Sequence, residues 1–445
     1  MTPDLPVELW LEILSMLPAH SVRKMMGISR ILFEMAMDDI YQELHFESDG
    51  DQMLRTFQQL QYPNLARRVQ HFYIRPNFLP GAEVCGRAER ISKKFLCIPI
   101  GSSTRYESPP SRKSLQQSIS TLEFAKGTIS HLLNVQAVTI VLHDLAVTPV
   151  PSFVPFLHVL FSSLGHNLRK LTLNLTLPKL PIVLDSKISR ELHALVDLEV
   201  ILANSRFTAK ESIKDTLVPF TRSLAGTLES LSISTLMMVD LNPFFDGVGY
   251  LPKLRKFVLI FELSFVVFQS PAPAASYVAR FISRHQEILQ HLTVRIQHPH
   301  FFPFHEESWM QTYSVNLKLP HLRTLELGVL ARAYDARFPL DWRKNVQHLP
   351  SLSQLENLII FNTTLSIEDV EALLEALHHS KSCDILQRLS MKITILNSRL
   401  VDLLASRLPS LTYLELTFGE YLRTEYHIDM VAFRREMEPR ILDQM

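Results

Sequence analysis

Residues 366–393 read SIEDVEALLEALHHSKSCDILQRLSMKI. Ser366 followed by Asp369 makes a capping-box-like start, with Asp where Glu or Gln is usual. Ile367, Val370, Leu373, Leu374 and Leu377 then share one face of a helix. His378 and His379 end it, where histidine suits the negative end of the helix dipole. Leu386, Leu389 and Met391 follow with the spacing apolar-x-x-apolar-x-apolar, and the last two alternate as in a strand with one buried face. One helix and one strand bury neither apolar face alone, so the stretch predicts neighbours built the same way.

The same six-residue pattern returns ten more times. It appears as Val69/Phe72/Ile74, Val135/Val138/Ile140, Leu168/Leu171/Leu173, Leu195/Leu198/Val200 and Leu228/Leu231/Ile233. It continues at Leu254/Phe257/Leu259, Leu289/Leu292/Val294, Leu322/Leu325/Leu327, Leu355/Leu358/Ile360 and Leu411/Leu414/Leu416. The interval from 69 to 135 holds either two units or one with a long insertion; later starts are 25 to 35 residues apart. Apolar helical stretches at Phe156–Leu164, with Gly165 as a stop, Tyr277–Ile282 and Leu400–Leu408 repeat the helix. The fold class expected is an α/β repeat, a short all-α module followed by an irregular solenoid over residues 47–445. Its pattern resembles leucine-rich repeats. It departs from them in unit length and in lacking the asparagine five positions after the middle apolar residue, where Thr176, Leu236, Glu262, Leu330, Thr363 and Gly419 stand. That implies an irregular horseshoe with unequal helices.

The repeats follow a different kind of stretch, LPVELWLEILSMLPAHSVRKMMGISRILFEMAMDDIYQELHF, residues 5–46. Pro6 suits a first helical turn. Leu9, Trp10, Ile13, Leu14 and Leu17 recur at helical spacing, and Pro18 stops that helix. Val22, Met25 and Met26 lie on a second helix; Ile28, Phe33, Met35 and Met37 follow Gly27. A module of about forty residues rarely buries enough surface to stand alone, so residues 1–46 need a partner. Leu5-Pro6-x-Glu8-Leu9, Ile13-Leu14, Leu17-Pro18, Ile28-Ser29-Arg30 and Phe33 resemble an F-box, with Phe33 where tryptophan is frequent and His20 where an acid is frequent. The chain's layout is similar to that of divergent fungal F-box proteins. The resemblance implies binding to a Skp-family adaptor, and through it a cullin, by Leu5, Pro6, Leu9, Ile13, Leu14, Leu17, Pro18, Val22, Ile28, Ser29 and Phe33. It implies a non-catalytic receptor of a ubiquitin ligase, or alternatively an adaptor-bound scaffold that acts outside the ligase.

Composition narrows the classes. Lys+Arg and Asp+Glu are both 45, so no overall field draws the chain to nucleic acid or anionic membrane. Cys85, Cys97 and Cys383 are too few for a disulfide framework and fit a reducing compartment. The longest apolar run, Phe257–Phe268, is too short for a span and contains Glu262. A motif starting at residue 5 leaves no room for a signal peptide. Cytoplasm or nucleus is expected. No phosphate cradle, nucleophile elbow or zinc-protease motif occurs. His298, His300 and His305 with Glu306 and Glu307 match no recognised metal spacing, so neither metal nor cofactor is expected. Residues 76–117, with a Ser108-Pro109 pair, read as a loop insertion, and smaller insertions fall at 269–275, 298–309 and 331–344. Strand residues on the open face include Lys256, His291, Glu326, Asn357, Ile359, Phe361, Arg388 and Tyr413. Their mixed signs argue for a target protein rather than nucleic acid.

Overall fold

The computed structural model describes residues 6–76, 112–142, 153–203, 212–235, 239, 241–262, 271–297, 318–328, 352–394 and 396–418. Two compact units divide the chain, Met1–Val200 and Ile201–Met445, and each is taken by itself. The first opens with three helices, α1 (Val7–Ser15), α2 (Ala19–Met25) and α3 (Arg30–Tyr41). Strands β1 (Glu43–Phe46), β2 (His71–Ile74), β3 (Ala137–Val141) and β4 (Lys170–Thr176) pair in parallel in chain order, and β5 (Asp197–Ala203) runs over the division. The second unit carries β6 (Ser230–Thr235), β7 (Lys256–Glu262), β8 (His291–Gln297), β9 (Thr324–Gly328), β10 (Asn357–Leu365), β11 (Arg388–Ile393) and β12 (Tyr413–Phe418). These too pair in parallel, each with its neighbours in sequence.

That order follows from one strand and one crossover per repeat, as a parallel sheet requires. Each unit is a leucine-rich-repeat-like α/β solenoid. The inner face is the predicted apolar triplet: Val138, Leu171, Leu231, Phe257, Leu292, Leu325 and Leu358 are each at most 5% exposed. Aromatic rings fill the wider gaps. Phe46, Phe57, Phe72 and Phe156 meet in the first unit, and Phe245, Phe257 and Phe281 in the second.

Register is held by the backbone at the N-terminal ends of the strands. The carbonyl of Gln42 accepts from the N–H groups of both Gln70 and His71, each at 3.0 Å; Gln70 does the same for Gln136 and Ala137. In the second unit the doubled bond passes from Glu229 to Arg255, Gln290, Arg323, Glu356 and Gln387 in turn. A carbonyl oxygen has two lone pairs, so each rung uses both. In the first unit two asparagine amides add to the tie, Asn134 to the Arg67 carbonyl at 2.7 Å and Asn167 to that of Leu133 at 2.9 Å.

Two sequence expectations change and one open alternative is resolved. Residues 43–46, assigned to the helical module, form a strand in register with 71–74, because α3 ends one residue before it and the chain enters the sheet without a linker. Since β2 pairs directly with β3, the interval from 69 to 135 is one unit with an insertion. Of the predicted loop 76–117, residues 112–117 begin an 18-residue helix, Arg112–Ile129, and 77–111, with Ser108, Cys85 and Cys97, lie outside the described residues.

The covering helices are unequal, from that helix down to four residues at Pro63–Ala66 and Leu180–Val183. In Phe153–Leu164 the residues Phe153, Phe156, Leu157, Leu160, Phe161 and Leu164 are buried. Gly165 follows it, and only glycine fits there, since a Cβ would lie 2.5 Å from the Phe161 carbonyl oxygen and 2.7 Å from that of Glu191. The helix Ile367–His379 begins with the expected capping box: Ser366 Oγ accepts from Asp369 N at 3.2 Å, and Ser366 N donates to Asp369 Oδ2 at 2.9 Å. His379 Nδ1 closes its last turn on the Glu375 carbonyl at 2.6 Å. No helix among the described residues is long and apolar enough to cross a membrane.

Candidate functional site

Two surfaces are open to a partner, one in each unit. The first is on the N-terminal helices. Helix α1 carries two apolar stripes. Trp10 and Leu17, one heptad apart, turn inward with Met25, Met26 and Met35 onto a small core of Leu32 and Ala36. Leu9, Ile13 and Met16 face outward at 45%, 44% and 76% exposure, joined by Ile28 at 69% and Phe33 at 42%. Five large apolar side chains left this open on forty residues are more than scattered surface hydrophobes.

Polar groups hold these helices. Ser29 caps α3, its Oγ accepting from Leu32 N at 3.2 Å. Arg23 Nε bonds Asp39 Oδ2 at 2.8 Å, tying α2 to α3. Arg68, from the turn before β2, reaches Glu34 and Asp38 and donates to the Glu34 carbonyl at 3.1 Å. The hydrogen bond from Arg68 holds the Glu34 carboxyl below the usual carboxylate range. Arg68 therefore locks the helical module to the first repeat.

Of the residues singled out for the adaptor, Leu9, Ile13, Ile28 and Phe33 lie on this open face, and Pro6 and Pro18 are exposed beside it. Leu17, two residues past the end of α1, instead packs inward onto the core of Leu32 and Ala36. Ser29 serves as a cap. Leu14 and Val22 lie in α1 and α2 with side chains outside the described set, and Leu5 lies outside the described residues. Met16, the most exposed of the group, joins them; its signal in the sequence is the spacing Leu9, Ile13, Met16, which continues one helical face.

The second surface is the open face of the strands of the second unit. The register sets Ser230, Lys256, His291, Thr324, Asn357, Arg388 and Tyr413 in one row across seven strands. Asn357 Nδ2 donates to Thr324 Oγ1 at 3.2 Å, and the Arg388 guanidinium lies 4.4 Å from the centre of the Tyr413 ring. Burial, then Lys256 and Arg323, hold His291 below the usual imidazole range. The next row is Ser232, Val258, Thr293, Glu326, Ile359, Ser390 and Glu415. Ile359 is only 8% exposed between Glu326 and Ser390, which leaves little of it for a partner to grip. Beyond it Arg295 lies 4.0 Å over the Phe361 ring and pairs with Glu326 at 2.6 Å. Gly328, in register with Phe361 on the strand between them, has no side chain to keep them apart.

Much of the open face of the first unit is internally paired, though Asn174 Oδ1 is buried without a hydrogen-bond partner. His71 Nδ1 donates to Glu43 at 3.0 Å, and its Nε2 is 2.9 Å from Thr139 Oγ1. Bonds from His71 and His45 hold the Glu43 carboxyl below its usual range. Thr172 donates to Glu199 at 3.1 Å, and Lys170 lies within 4 Å of both Asp197 and Glu199.

Other features of the described residues are structural or mixed. Among the described residues no group of three His, Cys, Asp or Glu is placed to hold a metal ion; His298, His300 and His305 lie outside them. Cys383 is a buried thiol, its pKa raised by burial and by Asp384. A groove at the N-terminal ends of the strands in the second unit is lined by Glu229, Lys253, Arg255, Glu287 and His321, with signs mixed.

No known protein family and no curated protein matches the chain. Among solved structures it is similar to the Rad7–Elc1 complex in yeast, at 10% identity and a TM-score of 0.34, covering 80% of this chain and 93% of that one. A second is the TLR13–ssRNA13 complex, at 15% identity and a TM-score of 0.28, covering 66% of this chain and 47% of that one. Overlaps this loose carry no functional argument. The solenoid rests on the strand register itself.

Proposed function

We propose that the chain is a substrate receptor of a Skp–cullin–F-box ubiquitin ligase. The N-terminal helices dock on a Skp-family adaptor and the repeats hold a target protein. One observation carries the reading: α1 to α3 close a core on Leu32 and Ala36 yet leave Leu9, Ile13, Met16, Ile28 and Phe33 open. Apolar side chains that the core of Leu32 and Ala36 leaves out need other cover, which an adaptor groove would supply. The rigid link supports the same reading. With α3 running into β1 and Arg68 clamping Glu34 and Asp38, a partner on the helices stands at a fixed distance from the first repeats.

In this reading the chain does no chemistry itself and works in the cytoplasm or nucleus. Holding the target near a charged carrier raises the effective concentration of its lysines. The test is co-expression with the host's Skp-family adaptor. A soluble complex is expected, lost on Leu9→Asp with Ile28→Asp, and able to recruit the cullin. A monodisperse chain that ignores the adaptor would overturn the reading. A complex that binds adaptor and excludes cullin would leave the scaffold alternative.

A further inference from the structure

We infer that the open face of the second unit binds an extended acidic segment of its protein partner, with one carboxylate at Lys256 and a second at Arg388. The inference rests on the receptor reading and adds the chemistry of what is received. Its basis is where charge is left over. Of the acids on this face, Glu326 is paired with Arg295 at 2.6 Å, while Glu415 accepts only from the neutral Ser390 hydroxyl at 3.0 Å and keeps its charge without reaching Arg388 as an ion pair. Glu356, at the rim, lies 3.5 Å from Arg323. Lys256 and Arg388 are both exposed, and among the described residues neither has a carboxylate partner.

His291 lies between them in the row and is held below its usual range, so at neutral pH it adds no charge of its own. The row therefore presents two cations with neutral His291, Thr324 and Asn357 between. Arg388, stacked on Tyr413, keeps its donors free at the edge of the ring. The open face of the first unit offers no such excess, since Lys170 faces two carboxylates.

Spacing sharpens the partner. Lys256 and Arg388 are four strands apart in one row, which is about 19 Å at the usual strand separation. An extended chain crossing the strands spans that distance in about six residues. The fitting segment has acidic residues about six positions apart, with small polar side chains between that suit Thr324 and Asn357.

The probe is a labelled peptide of that design, Glu-Asp pairs set about six residues apart on a Ser/Ala/Thr background, titrated into the full chain by fluorescence anisotropy. Binding is expected to weaken as salt rises. Lys256→Glu with Arg388→Glu is expected to weaken it about tenfold, and Arg284→Glu with Arg407→Glu on the helix side to leave it unchanged. Lys256→Gln with Arg388→Gln, which adds no repulsion, is expected to weaken it about threefold. Four results would overturn the inference: no binding up to about 1 mM, equal binding of the lysine version, indifference to both double variants, or binding of a phosphoserine version alone. Adaptor co-purification on the same protein separates the two claims. Peptide binding without adaptor faults the receptor reading, and adaptor binding without peptide faults this inference.

Discussion

The N-terminal helices and the repeat at 366–393 use the same material, short helices rich in leucine, to opposite ends. In the repeat, Val370, Leu373, Leu374 and Leu377 are at most 2% exposed, and the next strand and helix complete the cover. In α1 only one stripe finds cover, and Leu9, Ile13 and Met16 stay outside. A repeat supplies its neighbour's missing surface, so the array finishes itself. Among the described residues the N-terminal helices cover one stripe and leave the other open, and in the proposed function that open stripe is the adaptor's.

Substitutions break or sharpen that contrast. Leu373→Ala, at 0% exposure, is expected to cost about 2–5 kcal/mol, read as a lowered midpoint in urea denaturation. Leu9→Asp with Ile28→Asp is expected to reduce adaptor binding at least about a hundredfold, some 2.7 kcal/mol. The same variant should shift Tm by less than about 2 °C, because neither side chain belongs to the core of Leu32 and Ala36. A large drop in Tm would show that the outward stripe belongs to a core and remove the contrast.

Gly165→Ala probes how closely the repeats approach. Its Cβ would meet two carbonyl oxygens rather than a yielding side chain, so a loss of about 1–3 kcal/mol is expected in thermal or chemical unfolding. Ser366→Ala removes one half of the capping box and is expected to cost about 1 kcal/mol.

The smallest effect concerns His285, fully buried in the second unit. Its Nδ1 donates to the Phe281 carbonyl at 2.7 Å, and its Nε2 accepts from Leu251 N at 2.9 Å. Burial lowers its pKa, so the folded state prefers the neutral ring. The stability this brings is complete above the unfolded value of about 6.5 and is lost as pH falls from there through the folded value. His285→Gln retains an acceptor and a donor without a titration, so its Tm deficit against the parent protein should shrink between about pH 7.5 and 5.5. A deficit constant across that range would show that protonation plays no part.

Much of the array is legible from residue spacing. The last two positions of all eleven predicted triplets fall on strands, because alternation is what a parallel strand with one buried face demands, although Leu414 of the last is 42% exposed. Strand β1 carries the same spacing in Tyr41, Leu44 and Phe46, but it follows forty helix-patterned residues without a break, so its local pattern does not separate it from them. On the open face, spacing placed Lys256, His291, Asn357, Arg388 and Tyr413 correctly in one row. It said nothing of Arg295 on Phe361, whose meeting depends on a glycine in the intervening strand.

The sequence by itself determined the period, the inward residues and the helix caps, since these depend on neighbours within a few positions of the chain. Tertiary structure decided what depends on distant ones. The doubled carbonyl bonds that hold register are made by backbone and leave no mark in residue type. Which stripe of α1 is covered depended on where α2 and α3 lie, and which charges of the open face stay unpaired depended on strands some thirty residues apart. The period belongs to the chain; the leftover apolar stripe and the leftover charge belong to the fold.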